Sequence, residues 1–107
     1  MENKPYRIKI LKSFTKSLQD IFSYIWQSSP QNAEDFEKDL YKEMEKISKN
    51  PLANPAIIDE KGNPTKFRYK NFKKNYKIVF KVEELYIKFI RLFHSKQHPN
   101  KLNKDLK

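Results

Sequence analysis

Residues 67–94, which read FRYKNFKKNYKIVFKVEELYIKFIRLFH, decide the fold predicted for this chain. Apolar and polar residues alternate there over two long runs, 76–82 and 85–93, after a shorter run at 67–69. A period of two is typical of strands with one buried face. The two glutamates between the long runs leave room only for a hairpin turn. The stretch therefore predicts a three-stranded antiparallel sheet.

The polar positions of these predicted strands are mostly cationic. In the run 76–82 the apolar side chains share one face of the strand, and Lys77 and Lys81 share the other. Lys88 is a polar position of the following run, and Arg91 and His94 lie near its far end. One face of the sheet is thus expected to pack on a core, and the other to present positive charge to solvent.

The net charge of +10 is unevenly distributed along the chain. Residues 1–65 hold ten Lys and Arg against ten Asp and Glu, whereas residues 66–107 hold thirteen against three. The whole excess lies in the second part, and a field of one sign attracts polyanions. Nucleic acid and an acidic protein are both compatible partners.

Length and composition predict one soluble, cytoplasmic domain. The chain has 107 residues, enough for a single hydrophobic core. It has no cysteine, no apolar run of membrane-spanning length and no secretory signal at its start. We expect residues 1–94 to form the domain, residues 95–107 to form a basic tail, and no association with membranes.

Upstream of the sheet the pattern predicts a strand and a helical hairpin. Residues 6–11 alternate like a strand, and residues 14–26 and 33–47 carry apolar stripes at helical spacing. Ser13 and the pair Ser29 and Pro30 are typical helix starts, and Asn50 followed by a proline is a typical stop. Residues 52–64 read as an irregular loop. The predicted fold is α+β, β-α-α-β-β-β, with the helical hairpin packed on a small antiparallel sheet.

No cofactor or metal is expected. His94 and His98 are four residues apart, but Pro99 disfavours a helix there and no Cys or nearby carboxylate completes a metal site. A single glycine excludes glycine-rich phosphate-binding loops.

Several short segments, taken in order, resemble the RelE/ParE superfamily of toxins from type II toxin–antitoxin pairs. They are Tyr24-Ile25-Trp26, AEDF at 33–36, Asn50-Pro51, Arg68 before the hairpin, Y-x-I-x-F at 76–80 and IRLFHSKQHP at 90–99. The ending looks most like the ParE-type members. The resemblance implies neutralisation by an antitoxin whose C-terminal segment wraps the toxin. It implies either messenger RNA cleavage on the ribosome, as in the RelE-like branch, or inhibition of DNA gyrase, as in the ParE-like branch.

RNA cleavage needs a proton acceptor, a proton donor and cations that stabilise a charged phosphorane. The resemblance carries these roles to Arg68, Arg91 and His94. RelE-like enzymes usually add a further acid–base residue, often Tyr, near the C-terminus, and none follows His94 in this sequence. Structural roles are the alternatives: His94 capping the end of the sheet, Arg91 pairing with an acidic side chain of the helices, and Arg68 anchoring the loop.

A gyrase inhibitor needs a binding surface and no catalytic group, so the incomplete acid–base set favours a ParE-like, non-catalytic growth inhibitor. An mRNA interferase is the alternative, and a non-toxic nucleic-acid-binding module is a second one. The expected partners are a cognate acidic antitoxin and a target, either gyrase or the ribosome with its message; the oligomeric state stays open. The residues predicted to bind target or antitoxin are Lys77, Lys81, Lys88, Lys96 and His98.

Overall fold

The predicted α+β class and element order are confirmed in the computed structural model, which describes residues 6–94. The structure has one short strand more than predicted, and this strand lies in the segment 52–64 that was predicted to be a loop. The elements are β1 (Arg7–Ile10), α1 (Lys12–Ser28), α2 (Pro30–Lys49), a 3-10 turn (Pro51–Ala53), β2 (Ala56–Ile58), β3 (Pro64–Phe72), β4 (Tyr76–Glu83) and β5 (Tyr86–His94).

The strands form one mixed sheet in the order β1-β5-β4-β3-β2. β2 through β5 pair antiparallel, as predicted for the meander, but β1 pairs parallel to β5. The expectation of a purely antiparallel sheet was therefore wrong at one edge. Parallel neighbours need a long connection, and the chain between β1 and β5, which includes both helices, provides one. The Tyr6 N–H donates to the Ser48 carbonyl at 2.9 Å and so joins the start of β1 to the end of α2.

Within residues 6–94, the helical hairpin covers one face of the sheet, which we call the inner face, and no helix covers the opposite, outer face. The core lies between the helices and the inner face of the sheet, and most of its side chains are aromatic or branched aliphatic. It includes Ile78 and Phe80, which the alternation in β4 predicted to face inward. Trp26 was predicted to join this core but is 44% exposed and stacks on Phe22 at 5.7 Å. The buried members are Phe14, Leu18, Phe36, Leu40, Met44, Ile47, Phe72, Ile78, Phe80, Ile87, Phe89 and Leu92.

The helix boundaries follow the predicted signals at α2 but not at α1. The Ser29 hydroxyl accepts from the Asn32 N–H at 3.1 Å, and Pro30 begins α2. Ser13 does not cap α1, which begins at Lys12 with no side-chain cap. The Ser13 hydroxyl instead donates to the Ile90 carbonyl of β5, an acceptor that lies beyond the last residue of β5 paired with β1. The hydroxyl of Ser13 thus binds a backbone carbonyl of β5 that is not paired with β1, and does not cap the helix.

The segment 52–64 is more regular than predicted. Its 3-10 turn and β2 precede a turn in which the Asp59 carboxylate accepts from the Lys61 and Asn63 N–H groups at 2.9 Å. β3 is also longer than the run at 67–69. Short strands held mainly by distant partners give little periodic signal. Within residues 6–94 no helix is both long and apolar enough to span a bilayer.

Ser17 of α1 accepts from the buried Leu92 N–H of β5 at 3.0 Å. Because Ser17→Ala leaves that donor without its acceptor, we expect it to lower the free energy of unfolding by about 1 to 2 kcal/mol in urea denaturation. Ser23→Ala, at an exposed position of the same helix, is the control for helix propensity. Equal stability of the two variants would contradict the assigned role of Ser17.

Candidate functional site

The outer face of the sheet carries a continuous set of cations. Lys77 and Lys81 alternate along β4 with core residues, and Lys88 is the cross-strand partner of Lys81. These three predicted binding residues therefore share one surface, and β1 extends it. The cations of the outer face are Arg7, Lys9, Lys77, Lys81, Lys88 and Arg91.

Arg91 reaches the outer face because β5 contains a bulge. Phe80 pairs with Phe89 and Val79 pairs with Arg91, so Ile90 is the extra residue between them. A bulge shifts the alternation by one position. Ile87, Phe89 and Leu92 consequently face the helices, whereas Phe93 joins the outer cluster. Without the bulge, Arg91 would share the face of Phe89.

Four cations of the outer face lie over aromatic rings. The ammonium of Lys9 is 4.5 Å from the Tyr86 centroid, and that of Lys77 is 4.4 Å from the Tyr69 centroid. Cation–π attraction of this kind keeps the charge hydrated while the aliphatic stem covers apolar surface. Two further pairs are Lys81 with Phe67 at 5.8 Å and Arg91 with Phe93 at 5.5 Å.

Three of these rings, those of Phe67, Tyr69 and Phe93, belong to a small second cluster on the outer face. Ile57, Val79 and Phe93 are buried there, and Phe67 and Tyr69 pack against them. The centre of the sheet is thus dry on both sides, which makes the outer face a rigid, cationic surface with an apolar centre.

Glu83, at the end of β4, bridges two cations of the outer face. Its Oε1 lies 2.5 Å from the Lys88 ammonium and its Oε2 lies 3.0 Å from the Lys81 ammonium. Hydrogen bonds from Lys88 and then Lys81 lower the pKa of the Glu83 carboxyl to about 2, because both favour the charged form. From the sequence pattern, Glu83 is predicted only as a turn residue.

The three residues assigned by resemblance to RNA cleavage do not converge. Arg91 is on the outer face, whereas Arg68 and His94 are on the inner face, opposite Phe80 and Tyr76 of β4. The Arg68 guanidinium donates to the Asn54 carbonyl at 2.5 Å, which matches the anchoring role weighed as the alternative. Arg68 belongs to β3 and His94 to β5, and β4 lies between these two strands.

His94 has an aromatic neighbour that the sequence did not point to. Its ring meets the Tyr76 ring edge to face, with centroids 5.0 Å apart. Burial, with a smaller contribution from Tyr24, raises the pKa of Tyr76, so its hydroxyl stays protonated and able to donate. Tyr76 was interpreted only as a core residue. The structure thus places a phenol of β4 beside the imidazole of His94.

Tyr76 also borders an open cleft of about 490 Å³ between α2 and the β3–β4 turn. The Lys73 ammonium contacts the Asp39 carboxylate there at 2.7 Å, and this hydrogen bond lowers the pKa of Asp39. The cleft is charged on both sides and leads toward the ring of Tyr76. Its lining residues are Ile25, Asn32, Asp35, Phe36, Asp39, Lys73 and Tyr76.

The remaining predicted residues, Lys96 and His98, lie outside the described residues, as does the tail 95–107. Within residues 6–94 no group of three or more His, Cys, Asp and Glu side chains is arranged to hold a metal ion.

Comparison with known proteins identifies relatives of this chain. Residues 8–99 match the family described as "ParE toxin of type II toxin-antitoxin system, parDE". A chain of the chromosomal ParDE toxin–antitoxin system from P. aeruginosa has a similar fold, with a TM-score of 0.70 and 14% identity over 85% of this chain and 97% of that one. A chain of the RelBE2 toxin–antitoxin complex from Mycobacterium tuberculosis gives 0.57 and 13%, over 87% and 97%. Curated proteins gave no significant match.

The bridge made by Glu83 predicts an acid-shifted titration. In carbon-13 NMR we expect its carboxyl to titrate near pH 2, and Lys88→Ala to move that pKa toward 4.5. Because the folded pKa is below the unfolded one, the bridge adds to the free energy of unfolding above pH 4.5 and its contribution is lost as the pH falls through about 2. Lys16→Ala is the control, and a wild-type pKa near 4.5 would contradict the bridge.

Proposed function

The chain belongs to the ParE toxin family of type II toxin–antitoxin systems, and on this basis we propose that it arrests growth by inhibiting DNA gyrase without catalysis of its own. It is a toxin of the ParE/RelE superfamily, and the solved structures that it resembles come from toxin–antitoxin complexes, which supports an antitoxin as its partner. An acidic antitoxin fits the basic surface. The cytoplasm, where gyrase and antitoxin meet, is the proposed location.

One observation carries the non-catalytic proposal: the separation of Arg91 from Arg68 and His94 by the sheet itself. A charged phosphorane is stabilised by cations that surround it together with the acid and base. Residues on opposite faces of a sheet are poorly placed to contact the same phosphate, which supports a non-catalytic role for this set. Inhibition by binding requires only a rigid surface, and the outer face supplies one.

The outer face is the surface that we assign to the target. Five of its six cations lie over aromatic rings or in the Glu83 bridge, so little side-chain entropy of these five is lost on binding. Opposite charge also accelerates encounter with an anionic partner. Antitoxin bound on the same face would exclude the target.

We expect the purified protein to inhibit supercoiling by gyrase, and Lys77→Glu to raise the inhibitory concentration by about tenfold, because reversing an interfacial charge typically costs more than 1 kcal/mol. Lys16→Glu, on the exposed side of α1, makes the same change in net charge and serves as the control. Supercoiling that is unaffected by the wild-type protein would overturn the assignment to gyrase.

Contact between His94 and Tyr76 favours a second candidate, ribosome-dependent cleavage of messenger RNA. This pair places an imidazole, a side chain suited to acid–base chemistry, beside a phenol that can donate a proton. In a translating extract the gyrase proposal predicts intact message. Cleavage that is lost in both His94→Ala and Tyr76→Phe, while both variants remain folded by circular dichroism, would establish the second candidate in its place.

A further inference from the structure

Lys81 and Lys88 are direct cross-strand partners, a position in which like charges repel. The protein places the Glu83 carboxylate between them, with one oxygen on each ammonium. The three side chains keep 24%, 32% and 40% of their surface exposed in the order Lys81, Lys88 and Glu83. A bridge this exposed adds little to stability. Its main effect is to neutralise one end of the outer face.

We propose that the Lys81–Lys88 pair is a carboxylate-binding site for an acidic segment of the antitoxin, and that Glu83 is an internal competitor that occupies this site in the free toxin. An aspartate or glutamate of the partner would replace Glu83 between the two ammonium groups. The proposal rests on the proposed function only in naming the antitoxin as the source of the carboxylate.

The chemistry of the outer face favours a peptide carboxylate over the bases of single-stranded nucleic acid. Sequence-tolerant binding of single strands relies on bases stacking on open aromatic rings. The Phe67 ring is covered by Lys81 and the Tyr86 ring by Lys9, so the rings that flank the site are already occupied. What the site itself holds is a carboxylate, the group that an acidic peptide presents.

Exchange of carboxylates needs no change of fold. Glu83 is the last residue of β4, and the hairpin that follows is closed by Glu84 at φ +49° and Leu85. The backbone there is fixed by the pairing of Glu83 with Tyr86. Rotation of the Glu83 side chain into solvent is therefore enough to open the site, and affinity is set by the competition between two carboxylates.

The test measures binding of a fluorescent oligoglutamate peptide by anisotropy at low salt, with wild type, Glu83→Gln and Glu84→Gln. Both substitutions raise the net charge by one, but Glu84 forms no salt bridge within residues 6–94. We expect Glu83→Gln to tighten binding about two- to fivefold more than Glu84→Gln, the range of one released surface ion pair. Equal effects of the two variants would overturn the proposal.

Two further arms make the result specific. Lys88→Ala in the Glu83→Gln background is expected to cancel the gain, and a gain that persists would place the carboxylate elsewhere and overturn the site. Fluorescent oligothymidylate should gain equally from both glutamate variants. A larger selective gain for the oligonucleotide would overturn the choice of a peptide carboxylate. Failure of the proposed function would instead appear as normal growth on expression, with these binding ratios unchanged.

Discussion

The two faces of β4 differ: Ile78 and Phe80 pack on the helices, whereas Lys77 and Lys81 flank the smaller outer cluster around Val79, and this difference fixes the register of the sheet. Ile78 and Phe80 are fully buried against the helices, and each such side chain stabilises the fold by about 1.5 to 3 kcal/mol. A slip of one residue would move these side chains to the outer face and press Lys77 and Lys81 into the core between the sheet and the helices. Burying unpaired ammonium groups costs more than any register of this sheet could recover. The apolar face thus determines where the cations lie.

The ion pairs and cation–π pairs of the outer face contribute little to stability. An exposed cation–π pair is worth about 0.5 to 1 kcal/mol, and exposed salt bridges are worth less. The pairs of Lys77 with Tyr69 and of Arg91 with Phe93 are therefore small terms beside the core. Their charges can be altered while the fold stays intact, which separates the contact surface from the scaffold that presents it. Glu83 adjusts the charge of that surface without being part of the core.

Prediction from sequence succeeded where the deciding contacts are local. Alternation in β4, Ser29 at the start of α2 and the helix stop at Asn50 all depend on neighbouring residues. It failed where a distant partner decides. Counting back from the β4–β5 turn pairs Tyr76 with Phe93, and the bulge at Ile90, which no residue pattern marks, brings His94 there instead. The parallel pairing of β1 depends likewise on where the helical hairpin returns the chain.

If the outer face of the sheet contacts the target, binding must shield its lysines from reagents, and lysine footprinting detects that shielding. Toxin alone and toxin bound to gyrase would be treated by reductive methylation, and the modified lysines identified by mass spectrometry. We expect binding to protect Lys77, Lys81 and Lys88 while Lys16 and Lys42, exposed on the helices, react as in the free protein. Protection of the helix lysines with unchanged reactivity of the strand lysines would contradict contact through the outer face.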